Sequence, residues 1–264
     1  MINAKNPLVL TGKILGGLVL LWLVGSFYLF SQSSSSIFSN QTSWASVPNF
    51  GYEQIYRKDS KNQFFSIWEI KNPNTDNYVI YTHGNAGRLL NFFPELSKKF
   101  NVISPAYAGY SESEGSPSMD NTFEVAEKTY DYLVNERGIQ ENKITILGHS
   151  LGGSVATNLA SKKPNAKELV LVNTFSSISS VCFRQYSILC TFSGSLFNST
   201  DYAKNVKIPV RFYAYKGDTT IPFEEDQKLF AGFTSLRSDQ KSFTEIDGYG
   251  HSFPNFEKIL SDSK

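Results

Sequence analysis

The stretch Gly148-His149-Ser150-Leu151-Gly152 decides the fold of this chain, because it has the pattern Gly-x-Ser-x-Gly. The run before it, residues 143–147, is rich in β-branched residues and predicts a buried strand. The small residues of 153–160 follow and predict the start of a helix. A sharp turn between strand and helix exposes a serine hydroxyl, and the helix N-terminus favours negative charge beside it. The stretch therefore predicts a nucleophile elbow at Ser150, with two glycines that permit the turn.

A serine nucleophile needs a general base, and the chain contains only three histidines. His149 lies inside the elbow, so its side chain should point away from the nucleophile. His83 begins a separate glycine turn. His251 stands on a glycine-rich loop after a strand predicted near residues 242–246, a position that suits a mobile base. We therefore expect His251 to be the general base.

The base must be oriented by an acid, and Asp218 is the expected one. It follows a strand predicted over residues 210–215, and it produces the chain order Ser150, Asp218, His251. A purely structural role in a turn is the alternative interpretation of this aspartate. Asp247 is a rival carboxylate, but it lies on the same loop as the histidine, four residues away.

Ester chemistry at a serine also needs two backbone donors for the oxyanion. The first expected donor is the amide of Leu151, which follows the nucleophile directly. The second is expected from the turn after a strand predicted over residues 78–82. That turn begins His83-Gly84-Asn85, and we assign the donor to the amide of Asn85. An ordinary Gly/Asn turn is the alternative, and the later elbow favours the functional interpretation.

Four short motifs, HGNAG, GHSLGG, GDTTIP and GYGH, occur in this order across residues 50–260. Together they resemble the α/β-hydrolase superfamily, and most of all its compact single-domain branch, which includes monoacylglycerol-lipase-like, depalmitoylase-like and membrane-anchored members. The resemblance implies a catalytic triad, an oxyanion hole and no cofactor. The residues matched to these roles are Ser150, Asp218 and His251 for the triad, Asn85 and Leu151 for the oxyanion hole, and His83, Gly84, Gly148 and Gly152 for the supporting turns.

Residues 106–117 are similar to the family's stretch D-Y-R-G-x-G-x-S-x-G-x-P, with three departures. Ala106 and Ala108 stand where the family usually has aspartate and arginine, and Tyr110-Ser111 stands where a glycine is common. The departures bear on the family's local salt bridge and on the packing beside the oxyanion turn. They leave the expected triad untouched.

Composition limits the remaining possibilities. The net charge of +1 gives no case for a nucleic-acid partner, and two cysteines with three scattered histidines predict no metal site. A hydrophobic content of 41% can fill the core of one α/β domain of about 220 residues. Strands and helices alternate after residue 50, which predicts a mostly parallel central sheet flanked by helices. The other expected strands are 64–70, 101–105 and 169–173, and the other expected helices are 89–100, 120–137 and 223–230.

The N-terminus carries an uncharged apolar run over residues 14–30, just long enough to span a bilayer. Lysines lie only before it, and no charge follows until Glu53. This asymmetry predicts a transmembrane signal-anchor, with residues 1–13 in the cytoplasm and the catalytic domain on the non-cytoplasmic side. A cleaved signal peptide, which would make the protein secreted or periplasmic, is the alternative.

Two further segments interrupt the α/β pattern. The serine-rich residues 31–48 predict a flexible tether between the membrane and a catalytic domain over residues 49–264. Residues 174–207 predict either a small cap or irregular insertion over the site, or a helix packed on the sheet. Cys182 and Cys190 lie in that segment, and they could form a disulfide only across a turn.

The sequence as a whole predicts a membrane-tethered serine hydrolase that cleaves carboxylic esters or thioesters through an acyl-enzyme on Ser150. The expected partners are a small-molecule or lipid-like acyl substrate and the membrane. A serine peptidase or amidase with the same triad is one alternative, because the pocket rather than the fold determines the substrate. A non-catalytic scaffold is the other, and a damaged triad would be its sign.

Overall fold

The computed structural model of the chain describes residues 7–38, 51–85, 89–181, 196–251, 254–256 and 259. The cysteine pair Cys182 and Cys190 lies outside these residues, as do the later part of the predicted tether and the middle of the predicted cap.

An eight-stranded sheet forms the centre of the molecule. Its strands are β1 (Glu53–Lys58), β2 (Phe64–Ile70), β3 (Tyr78–Thr82), β4 (Asn101–Pro105), β5 (Ile144–His149), β6 (Glu168–Val172), β7 (Val210–Tyr215) and β8 (Lys241–Ile246). The order across the sheet is β1-β2-β4-β3-β5-β6-β7-β8. β2 is antiparallel to both of its neighbours, β1 and β4. All pairings among strands β3 to β8 are parallel. The predicted mostly parallel sheet is confirmed.

Helices cover the sheet and continue the chain between strands. They are α1 (Pro7–Ile37), α2 (Phe93–Leu96), α3 (Met119–Asp131), α4 (Leu151–Lys162), α5 (Ser199–Ala203) and α6 (Phe223–Gly232). Strand residues alternate between two apolar cores. On one face, Ile146 of β5 joins a core with Val125 of α3 and Val155 of α4. On the other face, Leu147 joins a core with Phe93 of α2 and the C-terminal Phe256. Burial on both faces explains why the central strands are apolar throughout.

Two predicted helices differ from the structure. The helix expected over residues 89–100 is instead a short 3₁₀ turn, Leu89–Phe92, followed by the four residues of α2. Pro94 lies at the start of α2, where its missing N–H breaks the ladder of a longer helix. The helix expected over residues 120–137 becomes a π-helical turn after Asp131. The wider turn ends at Arg137, whose guanidinium lies 3.2 Å from the buried carboxylate of Glu69.

The described part of the predicted cap packs beside the sheet. Phe197 and Ala203 belong to the core shared with α3 and α4, and Thr200 of α5 lies against Gly232 at the end of α6. For residues 196–203, the alternative of a helix packed on the domain is therefore the correct one.

The N-terminal helix α1 is longer than predicted. Residues Leu10–Tyr28 are long and apolar enough to cross a membrane. The flexible tether predicted from residue 31 is wrong in its first part, because the helix continues through the serine run to Ile37 and Phe38 is buried. Serine has only a modest helix penalty, and no glycine or proline lies between Phe27 and Phe38 to end the helix.

Candidate active site

Ser150 is the single residue between β5 and α4. Its backbone has φ 55° and ψ −125°, a conformation that residues other than glycine rarely adopt. Two contacts from the end of β6 and the residues after it hold this conformation. The Ser150 amide donates to the Val172 carbonyl at 3.1 Å, and the Thr174 hydroxyl donates to the Ser150 carbonyl at 2.8 Å. The predicted sharp turn between strand and helix is thus present at this serine.

The elbow fits closely against the end of β3. A Cβ atom added to Gly152 would lie 1.9 Å from the Thr82 carbonyl oxygen, so no larger residue fits there. The Thr82 hydroxyl donates to the Gly152 carbonyl at 2.7 Å and fixes the approach. A Cβ atom on Gly148 would lie 2.6 Å from the Ala156 methyl group. Both supporting glycines are therefore required by close packing.

Asp218 and His251 meet although they are distant in the chain. The Asp218 Oδ2 lies 2.6 Å from the His251 Nδ1, and the aspartate side chain is fully buried. Its other oxygen, Oδ1, accepts hydrogen bonds from the amides of Thr220 at 2.7 Å and Ile221 at 2.9 Å. A carboxylate held by three donors is rigid.

Asp247, the rival acid, lies away from the base. Its side chain is 94% exposed and forms an ion pair with Lys216 at 3.5 Å. The loop that carries His251 is instead joined to the loop that carries Asp218, because the Gly217 amide donates to the Gly248 carbonyl at 2.9 Å. The acid and base loops are therefore connected through their backbones as well as through their side chains.

His149 contacts the base loop, a contact that the motif alone does not indicate. Its Nε2 lies 2.7 Å from the His251 carbonyl oxygen, and the two rings are 5.3 Å apart. Since a carbonyl only accepts, the His149 Nε2 carries the proton in this bond. Burial is the main cause that lowers the pKa of His149 to about 3, so the ring is neutral near pH 7. The ring also packs edge-on against Phe92 and Phe256.

The turn assigned to the oxyanion hole lies directly against Ser150. A Cβ atom on Gly84 would be 3.2 Å from the Ser150 Cβ and 3.6 Å from its Oγ. Leu151 is the first residue of α4, so its amide is one of the helix N–H groups without an intrahelical partner. The turn that contains Gly84 and the N-terminus of α4 are thus both next to Ser150.

Two tyrosines from the segment after β4 hold this turn. The Tyr107 hydroxyl donates to the His83 carbonyl at 2.9 Å, and its ring stacks on the His83 ring at 4.0 Å. The Tyr110 hydroxyl donates to both the carbonyl and the side-chain oxygen of Asn85, at 2.9 and 3.1 Å. The His83 Nδ1 donates to the Gly84 carbonyl at 2.8 Å, and burial lowers the pKa of His83 to about 4. Tyr110 is one of the departures from the family pattern, and here it supports the turn.

A second carboxyl lies buried near Asp218. Asp226 is in the first turn of α6, and its Oδ1 accepts from the Thr174 amide at 2.7 Å. Among the described residues its Oδ2 has no hydrogen-bond partner. Burial, followed by the charges of Asp218 and Glu225, raises the pKa of Asp226 well above its usual value. Its surroundings therefore favour the neutral form of the Asp226 carboxyl.

The structure brings together most of the predicted site residues. Asp218, His251 and His149 form one hydrogen-bonded chain, and the predicted oxyanion turn touches Ser150. Among the described residues, the imidazole of His251 is bonded to Asp218, and no bond joins it to the Ser150 hydroxyl. Hydrogen bonds of this kind are often loose without substrate.

Comparison with known proteins agrees with the fold. A family model of the alpha/beta hydrolase fold matches residues 77–184. The lysophosphatidylserine lipase ABHD12 of Xenopus tropicalis is 28% identical over 272 residues, which cover 90% of this chain and 68% of that protein. Protein bem46 of Schizosaccharomyces pombe is 27% identical over 210 residues, covering 74% of this chain and 70% of that protein.

Among solved structures, the Pyrococcus furiosus esterase Pf2001 superimposes with a TM-score of 0.70. It is 17% identical, and the match covers 86% of this chain and 95% of the esterase. A likeness at that identity shows the fold. Lipase relatives on this fold support a hydrolase activity for the chain. The sheet topology and the family match show that the chain has the α/β-hydrolase fold, and these relatives support its place in that superfamily.

Proposed function

We propose that the protein is a membrane-tethered serine hydrolase that cleaves carboxylic esters or thioesters. The observation that supports this most is the 2.6 Å contact between Asp218 and His251, on loops that adjoin the strained turn at Ser150. A buried carboxylate on the Nδ1 of an imidazole fixes its tautomer and leaves Nε2 available to accept a proton. The strained backbone of the serine is also typical of functional sites.

The proposed reaction has two halves. In the first, the Ser150 Oγ forms a bond to the acyl carbon while its proton passes to the His251 Nε2. The amides of Asn85 and Leu151 stabilise the oxyanion, and Asp218 stabilises the imidazolium. The histidine then gives that proton to the leaving alcohol or thiol as the bond to it breaks, and an acyl-enzyme remains. In the second half, water attacks the acyl carbon, and the same proton path in reverse releases the acid and the free serine.

Labelling tests the nucleophile directly. The full chain should react with a fluorophosphonate probe, and Ser150→Ala should lose both the label and ester hydrolysis. Ser154→Ala is the matched control. It removes a buried hydroxyl in the first turn of α4, and this hydroxyl has no hydrogen-bond partner among the described residues. Label that persists in the Ser150 variant contradicts the proposal. Turnover of an amide as fast as its matched ester would favour a peptidase or amidase instead.

The membrane part of the proposal has its own test. The uncharged run in α1 and the lysines before it support an uncleaved anchor with the domain on the non-cytoplasmic side. The full-length protein should resist carbonate extraction and retain an N-terminus near Met1. A mature N-terminus beyond residue 30 would contradict the anchor. Protection of the domain from external protease would contradict the orientation.

A further inference from the structure

The residue that ends the N-terminal helix is buried in the catalytic domain. Phe38 follows α1 directly and is only 3% exposed. Its ring lies edge-on to Phe197 at a centroid distance of 6.0 Å, and Phe197 lies edge-on to Phe123 at 5.5 Å. Phe38 is also part of the larger apolar core of the domain. The helix is therefore attached to the domain at a specific aromatic contact.

The helix is already shielded from solvent on one face before it ends. Ser26 is 1% exposed, while its neighbour Phe27 is 70% exposed. Trp22 lies one turn before Ser26 on the same face and is half-buried. The helix face that carries Trp22 and Ser26 is thus shielded from solvent, while Phe27 and Tyr28 are exposed.

These contacts fall at the end of the apolar span. Leu10–Tyr28 has 19 residues, about 28 Å of helix, close to the roughly 30 Å apolar thickness of a bilayer. From Tyr28 to Ile37 the helix adds about 14 Å, of which roughly 6 Å lies within the headgroup layer. Ser26 is inside the last turn of the span. The shielded face of the helix therefore reaches the level of the membrane surface.

The aromatic contact lies at the same edge of the sheet as the candidate site. Strands β3 to β8 are parallel, so their carboxyl ends share one edge, and the loops that carry the site leave from it. Helix α3 begins at this edge with Met119, whose sulfur accepts a hydrogen bond from the Phe197 amide at 3.1 Å. Phe123 is one turn further along α3.

The segment that receives Phe38 is also connected to the nucleophile turn. The amide of Thr200, close to Phe197, donates to the Ser176 carbonyl at 3.2 Å. Two residues earlier, the Thr174 hydroxyl donates to the Ser150 carbonyl at 2.8 Å. The helix end and the candidate nucleophile thus share one short stretch of chain.

We propose that Phe38 locks α1 onto the domain so that the candidate site faces the bilayer surface and takes acyl esters directly from the lipid leaflet. This inference rests on the proposed function. A flexible tether would let the domain turn freely, so the site would meet membrane-embedded and dissolved esters without preference. A docked helix fixes one orientation, and an ester in the adjoining leaflet then always meets the same edge of the domain.

The test compares two esters on the full chain in vesicles. One is a long-chain fluorogenic ester embedded in the same vesicles, and the other is a short-chain ester dissolved in water. Phe38→Ala should lower kcat/KM for the embedded ester about tenfold and change that for the dissolved ester less than twofold. Phe27→Ala, an exposed phenylalanine on the same helix, is the matched control and should change neither.

An insertion provides an independent variant that leaves Phe38 in place. Gly-Gly-Ser-Gly-Gly inserted after Ser34 interrupts the helix between the span and the aromatic contact, and it should reproduce the loss on the embedded ester. The same insertion directly after Phe38 should have little effect. An unchanged ratio of the two activities in both disruptive variants overturns the inference, as does an equal loss on both esters. Hydrolysis that survives in Ser150→Ala would instead overturn the proposed function.

Discussion

The two sides of the candidate site are held in different ways. The relay side consists of Asp218, His251 and His149. The Asp218 carboxylate lies 2.6 Å from the His251 ring, and the His149 ring lies 2.7 Å from the backbone carbonyl of His251. The oxyanion side consists of the turn at residues 83–85, which Tyr107 and Tyr110 hold by hydroxyl bonds to backbone carbonyls. On the relay side the His251 side chain carries the proton in the proposed reaction, Asp218 supplies the charge beside it, and His149 positions the base loop. On the oxyanion side the backbone amides act, and side chains only position them.

This difference teaches which substitutions should matter most. A proton relay fails when one member loses its acid or base chemistry, even if its shape is retained. A backbone donor survives the loss of one supporting hydroxyl, and it moves by a fraction of an ångström rather than disappearing. We therefore expect a graded series of effects, largest at the relay and smallest at groups that serve stability alone.

The largest effect is expected from Asp218→Asn. The amide is similar in shape but no longer stabilises the imidazolium or the correct tautomer, so kcat should fall by about four decades. Asp247→Asn is the matched control on the base loop, and its exposed side chain should make the change less than about twofold. Steady-state hydrolysis of a soluble ester measures both. A larger loss from Asp247→Asn would mean that the wrong carboxylate is assigned to the relay.

The next effect is expected at His149, the relay member that bonds to backbone. His149→Leu removes the donor to the His251 carbonyl and should lower kcat about 10- to 100-fold, because the base loop is less well positioned. His149→Gln can keep a donor and should recover part of this loss. His149 is neutral down to a pKa of about 3, so the acid limb of the pH–rate profile should not move in either variant. A displaced acid limb would show that this histidine titrates during turnover.

A smaller effect is expected on the oxyanion side. Tyr110→Phe removes the hydroxyl that holds Asn85 and should lower kcat about tenfold, since one oxyanion donor becomes less well placed but is not lost. Tyr130→Phe is the control, because its hydroxyl bonds to Glu141 at 2.8 Å, far along α3. KM should change little in both variants. If Tyr110→Phe costs as much as Asp218→Asn, the contrast between the two sides fails.

The smallest effect on activity is expected from Asp226→Asn, which should act on stability. Burial raises the pKa of Asp226 in the folded protein, whereas the pKa of an aspartate in the unfolded chain is about 3.9. Above pH 4 unfolding therefore releases a proton, so the aspartate lowers stability as pH rises toward its folded pKa. The variant should match the native chain below pH 4 and unfold at a higher temperature near pH 8. Thermal melts across this range test it, and a gain that shrinks as pH rises would contradict it.

Much of the sheet could be predicted because its strands are locally unambiguous. β3, β4 and β7 have the expected bounds, since short β-branched and aromatic runs bordered by polar turns admit few alternatives. The helix predicted over residues 89–100 is wrong, because Pro94 interrupts it in a way that periodicity does not show. The serine run was wrongly expected to be flexible, because its composition resembles a linker while its individual propensities still permit a helix.

The relay side was more accessible to sequence reasoning than the oxyanion side. Ser150, Asp218 and His251 are residue types dictated by their expected chemistry and occur in the order typical of the fold. The bond from His149 to the His251 carbonyl joins residues 102 apart in the chain, and no local pattern encodes it. Tyr107 and Tyr110 act on backbone carbonyls. The only signal for them was that a tyrosine replaces a common glycine beside the oxyanion turn.

The left-handed backbone of Ser150 creates a trade-off between the stability of the protein and its proposed catalytic activity. At φ 55° a residue with a side chain costs about 1 to 2 kcal/mol relative to a relaxed turn, and glycine would relieve most of that penalty. Ser150→Gly should therefore yield a protein that is inert but harder to unfold. In a copy of this chain that is no longer selected for catalysis, replacement of Ser150 by glycine would increase the stability of the fold. Retention of a serine in this backbone is accordingly a record of continued selection for its hydroxyl.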